Sequence, residues 1–330
     1  MKKIASISLK IGIPLLIAYV ILFFTYRDYD FSNFGKTISD LNLWWLLLAL
    51  AFSLFSPIFR GLRWTMLLRS AGYNVPNSDS IFTVFTGYAA NIIIPRVGEI
   101  SRCAIVDRYD KVPFSKGLGT LVAERFFDMI ILILMTGITV LAQFDKFAAL
   151  FSLSDTEQKV VDEPVSFFCS KFFLISLSAV ILLLVSVFLI RRFHLISKVK
   201  KIGHDFCLGF IAVKQVKNIP LFLFYSISIW ICYYLELYLA FYCFDSISNV
   251  GALAGIVCFV ASSIAVLVPT PANGAGPWHW VIISMLLIYG VPEYDAKTFA
   301  LVLNTSQTAC YLFGGVVGWI GLQFLHHKKQ

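Results

Sequence analysis

The sequence predicts an all-α polytopic integral membrane protein, with six full spans and two broken helical hairpins arranged as an inverted-topology repeat. Its composition, its recurring apolar segments and the distribution of charge among its loops each support this class. Hydrophobic residues make up 58% of the 330 residues and charged residues 14%, with a mean hydropathy of +0.80. A soluble core of this size cannot bury so many apolar side chains, so the surplus must face lipid.

Six apolar segments reach the roughly 17 to 25 residues that a transmembrane helix needs. The predicted spans are 11–26, 43–59, 118–142, 171–190, 219–243 and 298–325. The first follows Met1-Lys2-Lys3 but has no small-x-small cleavage site, so we interpret it as a retained span rather than a signal peptide. The seven cysteines show no metal-ligand spacing, and we expect no metal and no cofactor.

Loop charge predicts the orientation, because lysine and arginine collect on the cytoplasmic side. The basic amino terminus, the basic segment 191–217 and the basic carboxyl terminus are expected inside. Segment 144–171 carries five acids against three lysines and is expected outside. The net charge of +8 therefore indicates membrane orientation and contact with the anionic inner leaflet, not nucleic acid. We expect a multi-pass protein of the cell (inner) membrane with both termini cytoplasmic.

Two apolar segments must cross an even number of times to keep this topology. Segment 78–106 is interrupted around Pro95, and segment 251–290 is interrupted between Pro269 and Pro277. We interpret both as re-entrant hairpins that enter from opposite faces; the alternative is that the broken segments are kinked full spans, for eight spans in all. The halves 1–150 and 165–330 then form two inverted repeats of a single membrane domain, and such paired breaks are typical of a transporter's midplane site.

Seven polar or charged side chains lie at membrane depth in the first half. They are Asn91, Arg96, Glu99, Arg102, Glu124, Arg125 and Asp128. Each charge there costs roughly 2.5 to 3.5 kcal/mol unless it is paired or lines a polar cavity. One interpretation is that Arg96 and Arg102 bind a phosphate while the carboxylates hold them in place, aided by a helix amino terminus near Val97. The alternative is an ion-pair network that only fixes the hairpin to the next span.

The second half offers a sparser set of candidates for the same cavity. They are Glu236, Asn273, Gly274, Gly276 and His279. Glu236 is isolated within a span, where it is either protonated and hydrogen-bonded or a titrating coupling site. His279 lies between tryptophans and is either a packing residue or a group that titrates near neutral pH. We interpret Arg60, Arg63 and Trp64 as a juxtamembrane anchor.

Four segments carry a resemblance to a known family. They are GLRW (61–64), GYAANIIIPRVGEISR (87–102), GTLVAERFFD (119–128) and VPTPANGAG (268–276). In this order they resemble the flippase-like family (UPF0104 type) related to the transmembrane domain of lysylphosphatidylglycerol synthase. The resemblance implies an inverted-repeat membrane domain that moves lipids between leaflets, with Arg96, Glu99 and Arg102 in its most characteristic block. Ala272-Asn273 departs from the family's glycine-rich second motif, and we do not expect this chain to aminoacylate lipids.

The leading functional hypothesis is a flippase that moves a phosphate-bearing lipid through a central polar cavity. The cargo could be a phospholipid, a modified phosphatidylglycerol or a polyprenyl-phosphate-linked lipid. The alternatives are a membrane-embedded lipid-modifying transferase and a non-transporting scaffold of an envelope-lipid pathway. Because the sequence shows no catalytic constellation, we do not expect an enzyme. Membrane lipids and lipid-biosynthesis enzymes are the expected partners.

Overall fold

A computed structural model describes residues 2–142, 211 and 215–327, and within these ranges the chain forms helices and no strand. The main helices are α1 (Lys2–Tyr26), α2 (Leu43–Ser70), α3 (Asn77–Ile93), α4 (Val97–Asp110), α5 (Phe114–Ala142), α6 (Ile219–Phe241), α7 (Ala252–Ala265), α8 (Pro277–Ile288) and α9 (Glu293–His327). Short helical turns occupy Phe31–Asn33, Phe34–Ser39, Asp245–Ser248 and Pro271–Gly274. The predicted span 171–190, and nearly all of segments 144–171 and 191–217, lie outside the described residues.

Four of these helices, α2, α5, α6 and α9, are long and apolar enough to cross a membrane. They contain or nearly coincide with the predicted spans 43–59, 118–142, 219–243 and 298–325. Helix α1 contains the predicted span 11–26, although its apolar part, Pro14–Tyr26, is shorter than a full crossing. The fold is therefore that of a multi-pass helical membrane protein.

Helix α2 continues to Ser70, beyond the predicted end of the second span at residue 59. The prediction placed Arg60, Arg63 and Trp64 at the membrane surface as an anchor. Instead Arg60 is 3% exposed, and both Arg63 and Trp64 are completely buried. Carboxylates on α5 pair with the two arginines inside the protein. The helix can therefore continue past these charged residues without exposing them.

The first broken segment has a short break between closely packed arms. Helix α3 ends at Ile93 and α4 begins at Val97, with Arg96 between them at a left-handed φ of 67°. The side chain of Asn91 caps α4 by accepting a hydrogen bond from the amide of Gly98 at 2.7 Å. A Cβ atom at Gly98 would overlap the carbonyl oxygen of Gly87, so only glycine allows this contact between the arms.

The second broken segment has a longer break, between Ala265 at the end of α7 and Pro277 at the start of α8. Within it, Ala272 and Asn273 have φ angles of 49° and 57°. The chain thus breaks in both places that the sequence predicts. Whether the arms re-enter on one face or cross completely stays a prediction.

The longest helices pack across the two halves of the sequence. Helix α2 lies along α6, α9 lies along α3, and α5 contacts α7. The contact between α9 and α3 is close, because Gly314 and Gly318 face Phe85, and Gly318 also faces the backbone of Phe82. These contacts bring α2, α3, α5, α6, α7, α8 and α9 around one central space.

Candidate functional site

Helices α2, α4 and α5 contribute the charged groups at the centre of the molecule. The arginine–carboxylate cluster consists of Arg60, Arg63, Glu99, Arg102, Glu124, Arg125 and Asp128. Arg60 and Arg63 are three residues apart on α2, and Glu124 and Asp128 are four apart on α5. These spacings place each pair on one helical face, and the two faces meet.

The two carboxylates of α5 hold the two arginines of α2. One nitrogen of Arg60, Nη1, donates to both Glu124 Oε1 (2.6 Å) and Asp128 Oδ2 (2.7 Å). Arg63 Nη2 donates to Asp128 Oδ1 (2.7 Å), and its Nη1 donates to the hydroxyl of Ser226 on α6 (3.3 Å). Charge-assisted contacts of this length are among the stronger hydrogen bonds in proteins, and here they join three helices.

Arg102 lies on the buried side of the cluster, away from the cavity described below. Its Nη2 donates to Glu124 Oε2 (3.0 Å), and its guanidinium carbon lies 4.3 Å above the ring of Trp64. The indole nitrogen of Trp64 in turn donates to Thr120 Oγ1 (3.0 Å). The guanidinium of Arg102 is therefore engaged by protein groups, and we see no face of it that is open to a ligand.

Arg125 lies at the open edge of the same cluster. Its Nε donates to Glu99 Oε1 (2.8 Å) and its Nη1 donates to Asp128 Oδ2 (3.3 Å). Its side chain is nevertheless 40% exposed. Glu99 pairs with Arg125 on the neighbouring helix and not with Arg102, three residues along its own helix.

The cluster carries more positive charge than negative charge. Four guanidinium groups face three carboxylates, which leaves a surplus of one positive charge among these seven side chains. Such a surplus at membrane depth is costly unless an anion or water compensates it. Arg60 and Arg125 are the two arginines of the cluster that line the central cavity.

The central cavity has a volume of about 350 Å³ and is bounded by helices from both halves of the chain. Its polar lining comprises Arg60, Tyr88, Asn91, Arg125, Asp128, Tyr233, Glu236, Ser262, Ser263, Asn273, Gln307 and Tyr311. Apolar side chains complete the wall, among them Trp230, Phe259 and Leu303. A mostly apolar pocket with a few converging polar groups is the usual form of a small-molecule site.

Another part of the cavity wall consists of neutral amides around one acid. Gln307 Nε2 donates to Glu236 Oε1 (2.6 Å), and Asn273 Nδ2 donates to Gln307 Oε1 (3.3 Å). This chain of hydrogen bonds links α6, the second break and α9. Tyr88 and Tyr233 share a hydrogen bond between their hydroxyl groups at 2.7 Å, where α3 meets α6.

Arg96 connects the two breaks. Its side chain is exposed, and its Nη2 donates to the backbone carbonyl of Leu267 at 3.2 Å. Leu267 belongs to the second break and lines the cavity. Arg96 therefore lies at the rim of the cavity, next to its wall.

The structure brings five of the sequence-predicted residues to the cavity and places the others elsewhere. Those that line it are Asn91, Arg125, Asp128, Glu236 and Asn273. Glu99, Arg102 and Glu124 belong to the cluster behind the wall, and Arg96 lies at the rim. The expectation that Arg102 faces a phosphate does not fit this arrangement, because Glu124 and Trp64 already occupy its guanidinium.

The remaining second-half residues shape the break without lining the cavity. Gly274 and Gly276 adopt φ angles of 87° and 94°, which favour glycine. His279 is buried, and its Nδ1 accepts a hydrogen bond from the amide of Gly276 at 3.4 Å. Its position supports a structural role in capping α8.

Sequence reasoning missed several residues of the site. They are Arg60, Arg63, Tyr88, Trp230, Tyr233 and Gln307. A signal was present for the arginines, since Arg60 and Arg63 are spaced to match Glu124 and Asp128 on another predicted span. The aromatic residues and Gln307 resemble many other residues of their helices, and no local pattern distinguishes them.

Comparison with known proteins is consistent with this architecture. A family model described as the lysylphosphatidylglycerol synthase transmembrane region matches residues 11–315. A UPF0104 membrane protein of Methanocaldococcus jannaschii is 25% identical over 241 residues, which cover 70% of this chain and 93% of that protein. No solved structure gives a significant match. The chain belongs to the lysylphosphatidylglycerol synthase transmembrane family, which indicates a lipid-related function in a membrane.

Proposed function

We propose that this member of the lysylphosphatidylglycerol synthase transmembrane family is a flippase, which moves a phosphate-bearing lipid between leaflets. The observation that carries the proposal is the surplus of arginine in the wall of the central cavity. The headgroup would enter this cavity while the hydrocarbon chains stay in the bilayer. A phospholipid, a modified phosphatidylglycerol and a polyprenyl-phosphate-linked lipid all carry the phosphate that this chemistry requires.

Arg125 is the residue that we assign to the phosphate. Glu99 and Asp128 hold two of its three side-chain nitrogens and so fix the plane of the guanidinium. The side chain still has 40% of its surface exposed where it borders the cavity. A planar, positioned guanidinium binds phosphate more strongly than a mobile ammonium group, because two parallel N–H groups match two phosphate oxygens.

The edge of the cavity suits lipid chains. Met129 of α5 and Val266 and Leu267 of the second break line the cavity, and all three are exposed on the surface of the protein. They form an apolar margin next to the arginine wall. A volume of about 350 Å³ is at the small end for ligand pockets, which fits a headgroup better than a whole lipid.

We also propose the inverted repeat and the orientation that the sequence predicts, with termini in the cytoplasm of the cell membrane. The packing supports the repeat, because its contacts occur in corresponding pairs. Helix α9 packs on the first arm of the first hairpin, and α5 contacts the first arm of the second hairpin. Each hairpin also packs on the span that follows it in its own half.

A non-transporting scaffold is the second candidate, because much of the cluster is inaccessible. Arg63 and Glu124 are completely buried and join α2, α5 and α6, as a purely structural network would. A transferase would need a general base beside the substrate. Asp128 lines the cavity, but it accepts hydrogen bonds from three arginines, so we assign it to structure.

Reconstitution of the full-length protein into liposomes tests these functions. The probes are fluorescent phosphatidylglycerol and a matched neutral diacylglycerol, with exposure to the outer leaflet measured by quenching. We expect the protein to accelerate the movement of the phosphatidylglycerol relative to protein-free liposomes, without any chemical change in that lipid. A new lipid product would indicate a transferase, and neither movement nor product would indicate a scaffold.

A pair of conservative variants tests the assigned residue. Arg125→Lys keeps the charge but removes the fork, and we expect transport to fall about tenfold or more, equivalent to about 1.4 kcal/mol. Arg108→Lys is the matched control, because Arg108 is exposed on α4 and does not line the cavity. Equal transport by wild type and Arg125→Lys would contradict the assignment.

A further inference from the structure

Three side chains that can bind a metal converge at the open end of the first hairpin, away from its break. Asp79 lies in the first turn of α3, Asp110 is the last residue of α4, and His326 lies in the last turn of α9. One ligand atom from each lies within 4.8 Å of the other two. Tyr88, which lines the cavity, is farther along α3 by about 13 Å, so this group is separate from the proposed lipid site.

The group is built into the protein rather than spread over its surface. Asp79 is 2% exposed and the side chain of His326 is 13% exposed. Nε2 of His326 lies 2.9 Å from Asp79 Oδ2, while the hydroxyl of Ser78 donates to the other oxygen, Oδ1, at 3.0 Å. The hydrogen bond from Ser78 to Oδ1 thus orients the carboxylate of Asp79 so that Oδ2 faces the histidine.

Neighbouring side chains also orient the histidine. The ring of His326 stacks on Tyr109, with the centroids 4.6 Å apart. Gln323 Nε2 donates to the hydroxyl of Tyr109 at 3.1 Å and fixes that ring in turn. Side chains that hold a ligand in position are a regular feature of metal sites, because they set the direction of the donor atom.

The donor set selects a class of metal. One imidazole nitrogen with two carboxylate oxygens suits zinc and other divalent transition ions, whereas calcium and magnesium favour oxygen donors throughout. Ligand atoms of a zinc site lie about 2.0 to 2.2 Å from the ion. Donors within 4.8 Å of one another reach such distances after small side-chain movements.

We propose that Asp79, Asp110 and His326 bind a divalent transition-metal ion, with zinc as the best fit. The ion would neutralise two neighbouring carboxylates and connect both arms of the first hairpin to the last helix. Helix α9 already packs along α3, so the metal would stabilise an existing contact at its end. This inference is independent of the lipid-transport proposal, because the site has its own residues and its own ligand.

Zinc binding to the tag-free, full-length protein in detergent is the direct test. After treatment with a chelator, the protein is titrated with Zn²⁺ alone in a calorimeter, and with Mg²⁺ as the comparison ion. We expect one saturable zinc ion per chain, a rise in the melting temperature with zinc and no comparable effect of Mg²⁺. Asp110→Asn and His326→Gln should each weaken zinc binding by about tenfold or more.

His327→Gln is the matched control, since His327 is the exposed neighbour of His326 on the same helix. It should bind zinc as tightly as wild type. Co²⁺ provides a readout that does not depend on stability, because its visible absorption reports an imidazole ligand in the wild type and should change in His326→Gln. The absence of saturable zinc binding, or equal affinity in wild type and His326→Gln, would overturn the proposal.

Discussion

The two broken hairpins are held in place by different kinds of interaction. In the first, α3 and α4 meet across a break of a few residues, and the second arm is fixed to α5 by ion pairs. In the second, α7 and α8 are separated by a longer break, stabilised by neutral hydrogen bonds such as that between Asn273 and Gln307. Charge therefore holds one hairpin, and neutral contacts hold the other.

The apolar packing follows the same division. The larger buried apolar cluster joins α6, α7, α8 and α9, around residues such as Phe241, Met285 and Phe299. The smaller one, around Trp64, lies mainly among the helices of the first half. The comparison shows that fixed charge is concentrated among the first-half residues of the cavity, whereas the second half contributes mainly neutral groups. An anion would then meet arginines from the first half and amides from the second.

The largest effect that we expect from substitutions that test this difference is on folding stability. Glu124→Gln removes the charge that Arg60 and Arg102 share, and we expect a loss of about 3 to 5 kcal/mol. Glu236→Gln is the matched change among the second-half residues of the cavity. It should cost about 1 kcal/mol or less, because an amide can still hydrogen-bond to Gln307. Thermal unfolding in detergent measures both.

A double variant tests whether the loss of stability in Glu124→Gln comes from an arginine that is left without its carboxylate. Arg102→Met combined with Glu124→Gln removes one arginine that the missing carboxylate would leave uncompensated, so part of the stability should return. Equal melting temperatures for Glu124→Gln and Glu236→Gln would show that the two halves do not differ as we describe.

The next effect concerns the close contact between the arms of the first hairpin. Gly98→Ala would place a Cβ atom against the backbone of Gly87, and we expect a cost of about 1 to 3 kcal/mol. Gly137→Ala on α5 is the control, because a Cβ atom there meets nothing within 4 Å. It should be neutral or slightly stabilising. Comparable destabilisation by both changes, in unfolding experiments, would argue against tight packing at Gly98.

A smaller effect distinguishes two arginines of the first hairpin. Arg102→Lys loses both the paired contact with Glu124 and the stacking on Trp64, and should cost about 1 to 2 kcal/mol. Arg96→Lys should change stability by less than about 0.5 kcal/mol, because that side chain is exposed. This revises the sequence-based view that both arginines face a phosphate. Melting temperatures close to that of wild type for both variants would restore that view.

The smallest effect that we expect is on the pH dependence of transport. With Glu236 ionised, its charge offsets the surplus of the arginine–carboxylate cluster; protonation of Glu236 restores the surplus. Transport of an anionic lipid should therefore increase severalfold as the pH falls through the titration of Glu236. Glu236→Gln should give a flat profile near the high rate. A wild-type pH profile in this variant, measured in liposomes, would remove Glu236 from the mechanism.

The sequence by itself determined the helical membrane class, the four long spans that the structure describes and the two places where helices break. Hydropathy and proline act locally, so segment length shows where a helix crosses lipid and Pro95 or Pro269 shows where it stops. The same local patterns also located Glu124, Arg125 and Asp128 at membrane depth. They carried the family resemblance that the family model confirms.

Only the tertiary structure decided which charges meet. Glu99 and Arg102 have the spacing of a pair on one helix, yet each binds a residue of α5 instead. A pair along one helix contributes only about 0.2 to 0.5 kcal/mol, so packing between helices readily overrides it. Helical periodicity fixes which residues share a face, but not which helix that face meets. For that reason Arg60, assigned from sequence to the membrane surface, is found in the wall of the cavity.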